Sequence, residues 1–511
     1  MPAGGTSIAF RVGIGAIAPL NKDATMSVYS SRIRTFPVAA VLLVFACGGG
    51  DSAGPDDPSG PPIVTSVNGA TQPSGPVGST VIIEGSNFGG AQGSSQVLFS
   101  SASGGTIPAV VASANDWTST FIVTAVPTGA SNGAVVVQTS LGTSTAVPFI
   151  VTQNAVFSPS TISWSTTAEL PATVSGHALA FAQLAGPPAQ RVIYSVAGAG
   201  SSAVPVNTVH LATIGAGTTL NAWTATLPLP SPVAFHAVVV ATPANSRVAG
   251  PGFLYVIGGA TDAAGTPSST VYRGTLAADG SVSAWAAATP LPAPLRSAGA
   301  VIFHGDLYLV GGATTGNVPV ATVYRARLDA TGGLGTWQPQ ATLPFRRAHF
   351  GFGSFGGYLY AFGGDSGVVA PHSGSQSQTS VADVAFARID LRTGNLESSG
   401  WVTAGNRMTK SVSKHTTVVA GGYVLITAGL YNGASSGSTE ESYAQFNTDG
   451  TVASFNGATG SNTIESLISG GNLFNHAAVG YTDAAGVFHV LVAGGDDVNT
   501  PGTRHRGVFY Y

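Results

Sequence analysis

The chain has 511 residues, of which only 19 are Lys or Arg and 22 are Asp or Glu, giving a formal net charge of −3. So low a charge content excludes a coiled coil or a highly charged disordered chain, and it leaves no clustered basic face for nucleic acid. A single cysteine rules out a disulfide framework and any multi-cysteine zinc or iron–sulfur site, whereas 69 glycines, 31 prolines and 44% apolar residues describe a turn-rich β protein with ample core.

At the N-terminus, Arg32 and Arg34 precede an apolar run from Phe36 to Phe45. The run is too short to span a bilayer and suits the h-region of a secretory signal. It ends in Val44-Phe45-Ala46-Cys47, followed by Gly48. This resembles the lipobox of bacterial lipoproteins. The resemblance implies lipidation of Cys47, a signal occupying the residues before it, and a start at Met26, with 1–25 an over-extended start. It also implies that Gly48, in place of Asp, permits sorting to the outer membrane or cell surface. Residues 48–61, rich in Gly, Pro, Ser and Asp, read as a flexible tether.

Residues 62–152 alternate short β-branched runs with Gly- and Pro-rich turns, as in Thr80-Val81-Ile82-Ile83, Gln96-Val97-Leu98-Phe99, Phe121-Ile122-Val123 and Ala134-Val135-Val136-Val137. That pattern predicts an all-β sandwich. The turn Gly85, Asn87, Phe88, Gly89 and the later Pro127, Gly129 resemble an IPT/TIG immunoglobulin-like domain. In this family the domain serves mostly as a spacer, the role expected here.

From residue 155 onward the chain repeats. Trp164, Trp223, Trp285, Trp337, Trp401 and Phe455 recur in register. A Leu-Pro loop follows most of them, then a small-residue strand often introduced by His. A second strand ends in paired glycines, as in LYVIGG at 254–259, LYLVGG at 307–312, LYAFGG at 359–364 and VLVAGG at 490–495. These features resemble the kelch repeat of β-propellers. They predict six four-stranded blades over 155–511. The last unit lacks a fourth strand and Thr161–Trp164 is a fourth strand without a blade, so the N-terminal strand is expected to close the C-terminal blade. The expected fold is all-β: a small Ig-like sandwich followed by a six-bladed propeller.

The first strands are introduced by His177, His236, Gly299, His349, His415 and His476, which should ring one mouth of the propeller axis. Arg296 and Arg346, with Asp365 from the loop after a glycine pair, join them as candidate ligand-lining groups. Repetition of His in five units argues for a structural role between blades, because an active site needs unlike residues in unlike blades. The propeller with an Ig-like domain also resembles the galactose oxidase architecture, but that copper chemistry requires a Cys joined to a Tyr, and Cys47 lies in the signal. No P-loop, G-x-S-x-G, H-E-x-x-H or EF-hand motif occurs. The expectation is a lipid-anchored surface protein whose propeller binds a protein or glycan, with no cofactor, metal or catalytic residue assigned. The alternative is a carbohydrate-active enzyme of the sialic-acid mutarotase or lyase type, using Arg296 or Arg346 with a carboxylate.

Overall fold

The computed structural model describes residues 58–511, apart from 112–113, 153–158, 185–189, 216–218, 369–378, 432–440, 448, 458–463, 469–472, 483–486, 498–499 and 501–502. The signal and lipobox readings, Cys47 included, lie outside the described residues, as does most of the tether. All described residues fall in one compact unit, Ala53–Tyr511. It is all-β, and among the described residues its one α-helix is the single turn Ile464–Leu467.

The N-terminal part consists of two sheets packed face to face. One orders Ile63–Val67, Thr80–Ser86 and Phe121–Ala125; the other runs Ser74–Pro76, Val147–Thr152, Ala130–Thr139, Gln96–Ser101, Thr106–Ala109. Alternation drives this packing. Val97 and Phe99 point inward beside Val135 and Val137, and they meet Val81 and Ile83 of the facing sheet in one core.

The remainder forms six four-stranded antiparallel sheets in a propeller-like arrangement. Their first strands are Ala178–Leu184, Ala237–Ala241, Gly299–Phe303, Gly351–Phe355, Thr416–Ala420 and Ala477–Thr482. Each adjoins the next, and the sixth adjoins the first. The sixth sheet borrows its outer strand from the start of the repeat region, where Ser165 and Thr166 pair with Tyr510 and Phe509. The pairing falls just beyond the expected 161–164 segment. In the other sheets with a two-residue outer strand, Trp223, Trp337 and Phe455 likewise stand immediately before the paired residues. Trp164 thus keeps the repeat register, fully buried, with its indole N–H donating to Glu441 Oε1 at 2.6 Å.

Two sets of backbone hydrogen bonds run around the six sheets. At the end of each second strand, the N–H of Gly198, Gly259, Gly312, Gly364, Gly429 and Gly495 donates into the next sheet. The acceptors are the carbonyls of Val233, Leu295, Arg347, Val412, Leu473 and Val174, at 2.7–2.9 Å. The donor residue is glycine in all six sheets, with φ between +95° and +111°, a region side chains rarely enter. The residue before it tolerates alanine: Ala197 and Ala428 hold φ near +50° in the first and fifth sheets, where no glycine pair was legible.

Adding a methyl group at a donor glycine tests this joint. The Cβ of Gly312→Ala would lie 2.9 Å from the Arg296 carbonyl, on a backbone already at φ +102°. We expect a loss of about 2 kcal/mol or more, read as a lowered calorimetric midpoint. Gly405→Ala, whose Cβ meets nothing within 4 Å, leaves the midpoint unchanged.

Candidate functional site

The second set of hydrogen bonds closes around the axis itself. Gly176, Phe235, Ser297, His349, Lys414 and Asn475 each donate an N–H to the carbonyl of the equivalent residue in the preceding sheet, over 2.6–3.3 Å; Gly176 donates to Asn475 and completes the circle. All six are left-handed, with φ between +51° and +54°. Only one is glycine, so the others hold a conformation that L residues avoid by about 1–2 kcal/mol each. This ring sits where first strands begin and second strands end, so the loops on either side of it share one face, the mouth.

The ring also corrects the expected register. The residue that follows it and opens each first strand is His177, His236, Ala298, Phe350, His415 or His476. His349 is therefore a ring residue and no equivalent of the other four histidines, and the third unit contributes Ala298 here, with Gly299 one step further on. The four true equivalents are wedged between sheets. The His177 imidazole lies against Gly494, and His415 lies against Gly363, as the Phe350 ring lies against Gly311. Burial depresses His177 and His415 to about 4, and His236 and His476 to about 3, so these rings are neutral. His415 Nε2 accepts the Gly351 N–H at 3.1 Å, and His476 Nε2 lies 2.8 Å from the Thr416 hydroxyl.

A network of polar side chains occupies the mouth above one side of the ring. Arg296 Nη1 donates to His349 Nε2 at 3.1 Å, and its Nη2 donates to Asn317. His349 Nδ1 lies 3.3 Å from Asp365 Oδ2. Because Nε2 accepts from a guanidinium, the proton of this imidazole sits on Nδ1, toward the carboxylate. Burial holds His349 neutral, with its value lowered to about 4. Burial opposes the charge of Asp365, yet the contact with His349, the Lys414 ammonium and the Ser413 hydroxyl together keep the carboxyl below its ordinary range. Lys414, brought down to about 8 by burial, is held charged by Asp365 and Asp496. Asp496 in turn binds Asn475 Nδ2 and Arg504 Nε at 2.9 Å each, and Arg504 Nε reaches Ser175 Oγ at 2.8 Å. The network runs from the third sheet through the sixth to the first.

Of the eight expected lining residues, Arg296, His349 and Asp365 are thus joined directly, while His177, His236, His415 and His476 lie one step below them. Arg346 does not take part: it is exposed, with Nε on the Ser366 carbonyl at 2.9 Å. The buried arginine of that loop is Arg347, at a position that is Val or Leu in the other five sheets, with Nη1 donating to the Gly363 and Asp383 carbonyls. Lys414, Asn475, Asp496 and Arg504 were the members that pattern reading underweighted. One signal could have found Lys414. Leu170, Leu229, Leu291, Leu343 and Met408 stand six residues before their ring residue, and each donates its N–H to an outer part of a sheet. Counting six from that residue gives the ring, whereas aligning histidines does not.

Ring and strand-opening residues line an open axial concavity of about 150 Å³. Phe235 and Phe350 line one part of it, and Lys414, Asn475, His349 and Ser297 another. On the surrounding surface, three neighbouring loops expose apolar side chains: Val318 (37%), Phe345 (48%) and Val368 (65%). These loops are tied together, because Val320 bridges to Arg347 and Arg346 bonds Ser366. Among the described residues no cluster of His, Cys, Asp or Glu is placed to hold a metal ion.

No protein-family model and no curated protein matches this chain. Among solved structures, one described as "Structure of YjhT" superposes with a TM-score of 0.46 at 13% identity, covering 67% of this chain and 96% of that one.

The neutral histidines make stability depend on pH with a definite sign. The unfolded chain protonates its imidazoles near 6.5, whereas His177, His236, His349, His415 and His476 resist down to about 3–4 when folded. Stability is therefore complete above pH 6.5 and falls as pH drops from 6.5 toward 4, by about 1.4 kcal/mol per pH unit for each such proton. Urea midpoints at pH 7, 6 and 5 read this slope. His177→Phe, which copies the Phe350 solution, is expected to fold and to show a shallower slope.

Proposed function

We propose that this is a bacterial envelope lipoprotein, lipidated at Cys47, that presents a six-bladed propeller of kelch type for binding a protein partner at its mouth, with residues 62–152 an IPT/TIG-like module beneath it. Domain limits of 62–152 and 155–511 fit the division into sandwich sheets and repeating sheets. The two circles of hydrogen bonds and the six-fold glycine support the propeller reading.

The observation that carries the binding role is the exposed trio Val318, Phe345 and Val368 beside the exposed guanidinium of Arg346, which the Ser366 carbonyl holds in place. Aromatic and Arg side chains flanked by aliphatic ones are the usual anchors of protein interfaces. The network beneath them braces three loops that would otherwise be entropically costly to fix on binding. Its charged groups are spent on one another, which suits a rigid platform.

The carbohydrate-active alternative is favoured by one feature, Lys414, which is brought to about 8 by burial and lines the axial cavity. In that reading an amine near neutrality acts on a small polar substrate between Phe235 and Asn475. It requires anomer exchange or bond cleavage that Lys414→Met abolishes and Arg346→Ala leaves intact.

Pull-down from envelope extracts followed by interferometry tests the leading reading. Phe345→Asp and Arg346→Ala are each expected to weaken the partner at least about tenfold while the melting midpoint stays fixed. Mass spectrometry of the mature protein is expected to find Cys47 lipidated at the N-terminus, and Cys47→Ser to leave the membrane fraction. A mature terminus elsewhere defeats the anchor.

A further inference from the structure

On the opposite face from the mouth, the sandwich and the repeating sheets enclose a second cavity. Gln72 N–H donates to the Pro243 carbonyl at 2.9 Å, Thr71 Oγ1 to Val248 at 2.9 Å, and Arg247 pairs with Glu84 at 2.6 Å. His304, lowered to about 4 chiefly by burial and so neutral, donates from Nδ1 to the Asn68 carbonyl at 3.2 Å. Beside this seam lies a cleft of about 610 Å³. Its floor is aromatic, made by Phe303, Phe355 and Tyr358 at the turns of the third and fourth sheets, and all three are partly exposed. Its opposite wall is the Ser74–Thr80 segment of the sandwich.

One buried group at the cleft breaks the repeat. The tyrosine in the middle of each of the first three second strands donates its hydroxyl across to the next sheet: Tyr194 to Gly280, Tyr255 to Gly332 and Tyr308 to Gly394. Tyr360 is the equivalent in the fourth sheet. The turn glycine it would reach, Gly450, packs against the Tyr358 ring much as Gly332 packs against Phe253, yet here the tyrosine hydroxyl makes no bond across. Tyr360 is one of the residues bordering the cleft, and its hydroxyl is buried and has no hydrogen-bond partner. A buried hydroxyl without a partner is destabilising; three of the four equivalent tyrosines are satisfied internally, and this one is not.

We infer that the cleft between the sandwich and the propeller-like sheets is a binding site for an uncharged oligosaccharide of a few sugar residues. Three features select this chemistry. The volume lies within the ordinary range of ligand sites, which favour domain interfaces. None of the lining residues is an Asp, Glu, Lys or Arg, and the one histidine is neutral, so a charged ligand would be desolvated without compensation. Aromatic rings stand on one side, with hydroxyls and amides of Ser74, Ser79, Thr80, Asn245 and Asn447 around them. A sugar offers C–H faces to the former and hydroxyls to the latter. A hydrocarbon ligand would leave Tyr360 and the serine wall unpaired.

The test is calorimetric titration of the full chain with neutral tetrasaccharides (cello-, malto-, manno- and xylo-), with trigalacturonate and a capped apolar tripeptide as the contrasting probes. At least one neutral tetrasaccharide is expected to bind, with Tyr358→Ala abolishing the heat. Tyr360→Phe is expected to weaken binding about fivefold, the loss of one neutral hydrogen bond, without lowering the melting midpoint. Ser79→Trp, which fills the cleft from the sandwich side, blocks binding; if that variant misfolds, Tyr360→Phe still decides. Silence from all four tetrasaccharides at millimolar concentration overturns the inference. So does binding of trigalacturonate or the tripeptide in their place, or an affinity that Tyr360→Phe leaves unchanged. None of these outcomes depends on the mouth, whose partner is read by Phe345→Asp.

Discussion

The joint between adjacent sheets is the constraint on which this molecule depends. A glycine N–H at the end of one second strand reaches a carbonyl in the next sheet, and one turn later a left-handed residue reaches back toward the axis. Each hydrogen bond is worth about 1 kcal/mol net, and each left-handed non-glycine residue costs about as much. The ring is therefore close to neutral by itself. What stabilises the assembly is the apolar packing that the joint aligns, such as Tyr255, Leu307, Leu309 and Trp337 in one continuous core between the second and third sheets. Geometry comes from the joint, and free energy comes from burial.

Because the backbone makes the ring, the side chains there are free to differ, and they do. Around Phe235 the neighbours are Ala199, Ala234 and Ala260, a small apolar cluster. On the other side stand Arg296, His349, Asp365, Lys414, Asp496 and Arg504, all buried. A chain with so few charges has placed several of them inside. Buried ion pairs are weak contributors to stability but strong determinants of which arrangement is allowed. Here they cross from the third sheet to the first, through the sixth sheet, where Ser165–Thr166 at the start of the repeats pair with the last strand. A misregistered sixth sheet would strand Asp496 and Arg504 without partners.

The repeat was legible because its signals are steric. Trp, the Leu-Pro loop and the donor glycine are each demanded by packing or by φ, and they survive in every unit where they are needed. The sandwich strands Thr80–Ser86 and Gln96–Ser101 were legible for the same reason, through alternation. The site was legible only in part. Arg296, His349 and Asp365 stood out as rare charged residues, but a histidine of the fourth unit fell one place from its apparent equivalents, and the Arg346–Arg347 pair offered the wrong member. Nothing in composition separates an exposed arginine from its buried neighbour. That distinction is made by the strand bridge at Arg347, which is tertiary. Asn475 stayed hidden, and Lys414 read only as a neighbour of the histidines, because left-handed backbone leaves no mark on residue type when the surrounding ring enforces it.

The opposite face follows a different logic. The sandwich was expected to serve as a spacer, and a spacer needs no particular contact with what it carries. Its seam is nonetheless built from specific groups, with Glu84 aimed at Arg247 and the Asn68 carbonyl capped by a histidine that burial keeps neutral. Such a seam fixes orientation. Once the orientation is fixed, the Ser74–Thr80 wall stands at a set distance from Phe303, Phe355 and Tyr358, and a concavity exists that neither part has alone. Tyr360 lies on the side of that concavity made by the repeating sheets, and alone of the four equivalent tyrosines its hydroxyl makes no bond to the next sheet. Its unpaired hydroxyl is what ties the concavity to a ligand that offers hydrogen bonds.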